Sequence, residues 1–199
     1  MVMLRKFTCN CWRNVCSSYA FVTWFASVWF ALLLSGCATT KPSQQPGSLA
    51  ATDQRIAALK NELLRLPGTQ VTDAVAQEAE RIAAKAVVHA KFLAQRYRVN
   101  GLPLLHNSLV NMGVKERGLC HHFAHDMRAE LATHDMRYFH VIGLAAHPES
   151  RMRAHYAIAV GVPGTPFGDH IVLDAWRDSG RLFWARIAED KRYPWAIWD

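Results

Sequence analysis

The apolar pattern of this chain changes its period near Thr133, and this change constrains the fold more than any other feature of the sequence. Before Thr133, apolar residues recur every three or four positions, which is typical of amphipathic helices. After it, short extended runs alternate with turn residues. Helices followed by strands predict an α+β fold with an antiparallel sheet.

Four helices and four strands are expected. The first helix lies in TDQRIAALKNELLRLPG, between a Thr52/Asp53 cap and the stop at Pro67-Gly68. The other helices are predicted over about Thr72–Tyr97, over Pro103–Met112 and from near Gly118. The strands are predicted over 137–146, 155–162, 170–176 and 181–187.

The first 36 residues are predicted to be a signal peptide. Basic residues without an acidic one precede an apolar run of 16 residues from Tyr19 to Leu34. That run is shorter than the ~20 residues of a bilayer span. It ends in Leu34-Ser35-Gly36-Cys37, which resembles the lipobox of bacterial lipoproteins. The resemblance implies that Cys37 is acylated and inserts its lipid into the bilayer of the cell envelope.

The organisation of the remaining chain follows from this boundary. Residues 37–50 are small, polar and proline-containing, so we predict a lipidated, flexible tether. Residues 51–199 have the length of a single α+β domain. Ala38 and Thr39, rather than an aspartate, follow the lipidated cysteine, which favours the outer membrane and its periplasmic side. Without the signal peptide the chain has 20 basic and 16 acidic residues, so its formal charge is +4. This small charge and the exported location argue against nucleic acid as a partner.

Cys120 is the one cysteine that remains once Cys37 is acylated and Cys9, Cys11 and Cys16 leave with the signal. An internal disulfide framework is therefore excluded. In GLCHHFAHDM the thiol lies in the first turn of the predicted helix, on its inward stripe. A buried structural thiol is one interpretation. The other is a nucleophile, because the N–H groups and dipole of a helix start stabilise a thiolate.

His155 and Asp174 are the candidate base and orienting carboxylate. His155 is the first residue on a strand face that otherwise carries small residues. We expect the helix that bears Cys120 to pack against this face. Asp174 lies in the apolar run IVLDAW and needs a partner. If the two residues oppose each other on antiparallel strands, the turn is centred between Gly164 and Thr165. Trp176, on the same strand face as Asp174, is the best candidate to shield the site from water.

These pieces, RGLCHHFAHDM, RAHYAIAVGV and IVLDAW, resemble the transglutaminase-like branch of the papain-like cysteine peptidase superfamily. The resemblance covers Arg117 to Trp176. It implies a papain-like core with Cys120 as nucleophile, His155 as general base and then acid, and Asp174 as the group that orients the imidazole. Tyr156-Ala157 and Ala175 stand where many such domains have tryptophan and proline, which leaves the substrate class open.

The implied activity is cleavage or transfer of an amide acyl group through a thioester, most simply as a peptidase or amidase acting on a peptide or protein of the envelope. The oxyanion would bind the backbone N–H of Cys120 and a second donor, for which Asn107 and Asn111 are candidates. We predict no cofactor. Two alternatives stay open: a non-catalytic binding or scaffold lipoprotein with the same fold, and a lipoprotein that binds a metal through His121 and His125.

Overall fold

The computed structural model describes residues 46–99, 101–150 and 152–198. Within these ranges the chain is α+β, as predicted, with helices before an antiparallel sheet. The helices are α1 (Pro46–Leu64), α2 (Asp73–Arg96), α3 (Pro103–Asn111) and α4 (Cys120–Ala132). The strands are β1 (His140–Ala146), β2 (His155–Gly161), β3 (Ile171–Asp174), β4 (Phe183–Arg186) and β5 (Ala196–Ile197), with a 3₁₀ turn at Phe167–Asp169.

The predicted signal peptide, the lipidation site Cys37 and most of the predicted tether lie outside the described residues. The last part of that tether was predicted wrongly. Helix α1 begins at Pro46 and not at the Thr52 cap, so residues 46–50 are helical. Proline is well suited to a first helical turn, where its missing N–H costs nothing. In the part of the chain that the structure describes, no helix is both long and apolar enough to cross a bilayer.

Helix α2 is the central helix of the helical layer, because it packs against both α1 and α4. It begins where the Thr72 hydroxyl accepts a hydrogen bond from the Val75 N–H, at 3.3 Å. Its buried residues step by three and four along one stripe: Val75, Ala79, Ile82, Ala86, Ala90 and Leu93. This is the stripe that the sequence pattern indicates.

The sheet has the order β4-β3-β2-β1-β5, and every neighbouring pair is antiparallel. The strand β5 was not predicted. It consists of two residues that pair with Leu144 and Ala145 of β1, and it is extended by a 2.9 Å hydrogen bond from the Trp198 N–H to the Gly143 carbonyl. A two-residue strand carries too little alternation to be recognised from sequence.

Alternate residues of the sheet enter two separate cores. Ile158, Val160, Ile171 and Leu173 join the helices in the larger one. The small residues Ala157 and Ala159 face the other way, into a cluster with Leu144, Val172 and Trp195. The expectation that the small-residue face of β2 receives the cysteine helix was therefore wrong. The branched face of β2 offers more apolar area, and burying that area under α4 is the more favourable choice.

The start of β1 is determined by a buried carboxylate on α2. Glu78 accepts hydrogen bonds from the backbone N–H groups of Arg137, Tyr138 and Phe139, at 3.1, 3.0 and 3.0 Å. These three groups are thereby engaged outside the ladder, so β1 begins at His140 and not at residue 137 as predicted. Glu78 thus joins the helical layer to the sheet.

Replacing Glu78 with alanine is expected to lower the free energy of unfolding by about 2 kcal/mol, because backbone donors would lose their partner in a partly buried place. Urea denaturation measures the change. Glu80→Ala is the matched control: this carboxylate lies two residues further along α2, is exposed and pairs with Lys60, so the free energy of unfolding should stay close to that of the wild type. Equal effects of the two substitutions would contradict the role of Glu78.

Candidate active site

Cys120 is the first residue of α4. A buried histidine hydrogen-bonds to the backbone that leads into this helix. His106 of α3 donates from Nε2 to the carbonyl oxygen of Arg117, at 2.9 Å. The ring lies so close to Gly118 that a Cβ there would be 2.1 Å from Nε2. Gly118 also has φ +122°, a conformation that residues with a side chain rarely adopt. Glycine at 118 therefore lets the segment before the cysteine helix lie directly against the ring of His106.

His122 caps the same helix start. Its Nδ1 accepts hydrogen bonds from the N–H groups of Gly118 and Leu119, at 3.1 and 3.3 Å. Burial, with help from the neighbouring charges of His121 and Arg117, lowers the pKa of His122 to about 4, so the ring is neutral and can accept at neutral pH. The backbone of the two residues that precede Cys120 is thereby held in place.

His155 and Asp174 form a short, buried hydrogen bond, 2.6 Å between Nε2 and Oδ2. Their side chains are 3% and 1% exposed. The turn prediction required His155 and Asp174 to lie directly opposite each other on β2 and β3. In the structure they do not. Ile158 pairs with Leu173 and Ala159 with Val172, and this register continued places Asp174 across from Ala157. A shift of two residues preserves the face, so the two side chains still meet diagonally.

The thiol of Cys120 lies at the beginning of β2. Its Sγ is 3.9 Å from the carbonyl oxygen of Ala154, the residue before His155. The imidazole of His155 hydrogen-bonds to Asp174 and lies near enough to Cys120 for that side chain to raise its pKa. Because Nε2 faces the carboxylate, Nδ1 is the nitrogen left for the sulfur. The structure therefore brings together the three residues that the sequence singled out, in the order thiol, imidazole, carboxylate.

Electrostatics at this pair favour the charged imidazole. Burial by itself lowers the pKa of His155, but the hydrogen bonds and charges of Asp174 and Cys120 outweigh it and raise the pKa to about 9. Burial likewise opposes ionisation of Asp174, yet the hydrogen bond and charge of His155 and the charge of Arg177 hold the pKa of that carboxyl below its ordinary value. An imidazolium between a carboxylate and a thiol is the protonation state that these contacts stabilise.

The carboxylate of Asp174 is held by four donors. Oδ1 accepts from the backbone N–H groups of Trp176 and Arg177, at 3.1 and 3.0 Å, which ends β3 at Asp174 and not at Trp176 as predicted. Oδ2 accepts from His155 and from Nε of Arg177, at 3.1 Å. A carboxylate with every lone pair engaged keeps one orientation, which in turn orients the imidazole.

Arg177 and Asp190 extend this network and were not anticipated from the sequence. Arg177 donates from both terminal nitrogens to the carboxylate of Asp190, at 3.2 and 2.7 Å, and its side chain is 6% exposed. Asp190 also accepts from the indole N–H of Trp195, at 2.9 Å. An arginine three residues after a strand-end aspartate is the only signal the sequence offered, and it does not show that both are buried.

Three aromatic rings surround the imidazole of His155. Tyr193 stacks on it with ring centres 4.3 Å apart, and Trp176 and Trp195 lie at 5.0 and 5.5 Å. Trp176, which we expected to shield the site, therefore does contact it. Tyr193 and Trp195 come from the C-terminal segment that Asp190 anchors. Such a shell excludes water and strengthens the electrostatic interactions inside it.

The two asparagine candidates have different surroundings. Asn107 accepts a 3.1 Å hydrogen bond from the indole N–H of Trp176 through Oδ1, which leaves its amide N–H groups as donors. It is thereby linked to a ring that packs on His155. Asn111 is the last residue of α3 and is exposed. Of the two, Asn107 is the one that the structure connects to the site.

The rings of His121 and His122 lie 4.1 Å apart, but the three histidines of α4 differ in their other contacts. His125 is exposed and bonds to Asp126 at 3.0 Å, His121 lies edge-on to Tyr156, and His122 caps the helix. Within the described ranges, no group of three or more histidine, cysteine or acidic side chains is arranged to hold a metal ion. The metal hypothesis based on His121 and His125 thus gains no third ligand from these residues.

Comparison of the chain with protein-family models, with curated protein sequences and with solved structures gave no significant match.

Proposed function

We propose that this protein is a thiol-dependent amide hydrolase of the cell envelope, with Cys120 as nucleophile, His155 as base and acid, and Asp174 as the orienting group. The observation that carries the proposal is the buried 2.6 Å His155–Asp174 hydrogen bond whose imidazole also contacts Cys120 at a helix start. This is the geometry of an activated nucleophile, a base and a third group that orients the base. It supports the resemblance to the transglutaminase-like, papain-like enzymes.

The proposed reaction has two halves. The Cys120 thiolate attacks the amide carbonyl carbon and forms a C–S bond, while the oxyanion accepts hydrogen bonds from the Cys120 N–H and the Asn107 amide. The His155 imidazolium gives its proton to the amine nitrogen, the C–N bond breaks, and a thioester remains. Water then attacks the thioester, His155 takes its proton, and the C–S bond breaks to release the acid. We propose water as acceptor because hydrolysis needs no second amine site.

The cellular setting of the proposal comes from the sequence. The lipobox-like Leu34-Ser35-Gly36-Cys37 would anchor the domain by acylated Cys37 on the periplasmic side of the envelope, in the outer rather than the inner membrane. The substrate would then be a peptide or protein amide of the envelope.

One observation favours a second candidate function, a binding or scaffold lipoprotein without catalysis. Cys120 is only 8% exposed, and its partners His155 and Asp174 are less exposed still. A substrate reaches the sulfur only through a narrow approach or after local movement. The same buried groups could instead serve as a satisfied polar network that specifies the fold.

Alkylation of the full-length protein separates the two candidates. Iodoacetamide is added near neutral pH, and the modification of the Cys120 peptide is followed by mass spectrometry with and without denaturant. For an enzyme, Cys120 in the folded protein reacts at least about tenfold faster than in the unfolded chain, because the helix start and His155 would stabilise the attacking sulfur. A mixture of short peptide amides should release new amines with the wild type and none with Cys120→Ser. A folded thiol slower than the unfolded one would overturn catalysis and leave the binding protein.

A further inference from the structure

The outward face of α3 is apolar, although it points to solvent. Five large apolar side chains on α3 or beside it are more than half exposed, and we call them the α3 patch: Leu102, Leu104, Leu105, Met112 and Val114. The helix itself, PLLHNSLVN, contains no charged residue, and its histidine, His106, is turned inward and buried. Exposed clusters of this kind mark interaction surfaces.

The chain on both sides of the α3 patch is basic. From Arg81 to His125 there are seven lysine or arginine residues and one acidic residue, Glu116. Four of these cations, Arg96, Arg98, Lys115 and Arg117, line one cavity of about 400 Å³ together with Val114 of the patch, and Glu116 is its one acidic lining residue. Arg117 is already paired with Asp126 at 2.8 Å, so the other three are the cations of this cavity best placed to meet an external anion.

We propose that the α3 patch and its basic rim dock onto an anionic lipid bilayer, with the apolar side chains in the interface and the cations against lipid phosphates. Uncharged apolar residues beside lysine and arginine are the chemistry of interfacial membrane binding. A protein partner would require no such excess of one charge sign.

The predicted lipid anchor adds a distance argument. Cys37 precedes the first described residue, Pro46, by nine residues. Even a fully extended segment of that length spans only about 30 Å, so acylation of Cys37 would keep the domain close to a membrane surface. A tether of this kind raises the effective concentration of the domain at the membrane, so weak contacts are sufficient for docking. Docking does not depend on catalysis, but it would hold Asn107 and the candidate site beside the bilayer.

Hydrogen exchange of the full-length lipoprotein in vesicles tests the proposal. One vesicle preparation contains phosphatidylcholine alone, and the other contains phosphatidylcholine with phosphatidylglycerol. We expect amides of residues 102–114 to exchange about tenfold more slowly on the anionic vesicles than on the neutral ones. Leu104→Ser/Leu105→Ser and Arg98→Glu/Lys115→Glu should each abolish this difference. Because these side chains lie on the surface, the variants should keep the wild-type Tm.

Val88→Ser/Phe92→Ser is the matched control. These two residues form another exposed apolar pair, on α2, also beside lysines. The control should retain the protection of residues 102–114. Exchange that is the same on both vesicles, or that the control alters as much as the α3 variants do, would overturn the proposal, as would protection that requires an added envelope protein. Alkylation of Cys120 in the same samples reports separately on the proposed catalytic site.

Discussion

His155→Ala is expected to slow the alkylation of Cys120 near neutral pH by at least about tenfold and to lower any amide turnover by about 10²–10⁴. The imidazole is the group that the structure places between the thiol and the carboxylate. Without it, the proposed triad has no base to take the proton of the thiol, and the sulfur keeps the Ala154 carbonyl oxygen as its neighbour at 3.9 Å. Iodoacetamide kinetics followed on the Cys120 peptide measure the loss.

The raised pKa of His155 predicts how its effect on Cys120 changes with pH. The pKa of His155 is raised from 6.5 to about 9, so the charged pair is fully formed below pH 6.5 and is lost as the pH rises through about 9. The ratio of the wild-type alkylation rate to that of His155→Ala should therefore be largest near neutral pH and should shrink as the pH rises through about 9. The stability that the charged imidazole contributes should decline over the same interval in the wild type only.

His121→Ala is the control for this experiment. His121 neighbours Cys120 in the chain, but it is exposed and contacts His122 and Tyr156 rather than Asp174. Its removal should change the alkylation rate by less than about twofold. If His121→Ala were as damaging as His155→Ala, or if neither mattered, Cys120 would be an ordinary core thiol.

Arg177→Met is expected to cost about 3–5 kcal/mol of unfolding free energy at neutral pH. Arg177 is the cation between two buried carboxylates, Asp174 and Asp190, which are 3.1 and 2.7 Å from its nitrogens. Burial raises the pKa of Asp190, and the hydrogen bond from Arg177 outweighs it and holds that pKa below its ordinary value. Without the arginine, Asp190 stays buried with no cation, and Asp174 keeps only the charge of His155.

Acidification should relieve this defect. In the wild type both carboxyl pKa values are lowered, so their contribution is present at neutral pH and is lost as the pH falls below about 3.8. In Arg177→Met the same groups resist ionisation, so the difference in stability between variant and wild type should shrink as the pH is lowered from 7 towards 4. Urea denaturation across this range measures it.

A second substitution makes the test independent of simple misfolding. Arg177→Met/Asp190→Asn removes one uncompensated charge and should recover part of the lost stability, whereas unrelated damage would add. Lys191→Met is the surface control: Lys191 is exposed and bonds only to the Ala188 carbonyl, so a change within about 0.5 kcal/mol is expected. A pH-independent loss with no recovery in the double variant would contradict the proposed charge arrangement.

The positions that the sequence identified well are those where a local pattern is sufficient. The stripe of α2 and the alternation of β2 follow from spacing alone, so the residues that share each face were predictable, but the face of β2 that packs against α4 was not. The start of β1 was not, because it depends on Glu78, about 60 residues earlier in the chain. The turn between β2 and β3 was misjudged because the 3₁₀ turn at Phe167–Asp169 lengthens it and shifts the register by two residues.

The sequence by itself determined the α+β class, the order of the elements and the choice of Cys120, His155 and Asp174 as residues to examine, because period and burial pattern are local properties of a chain. Only the tertiary structure decided which face of β2 meets α4, and that Arg177, Asp190 and Tyr193 complete the surroundings of the imidazole. Those contacts join segments far apart in the chain. Their formation depends on which packing buries the most apolar area while satisfying every buried charge, and no local pattern records that balance.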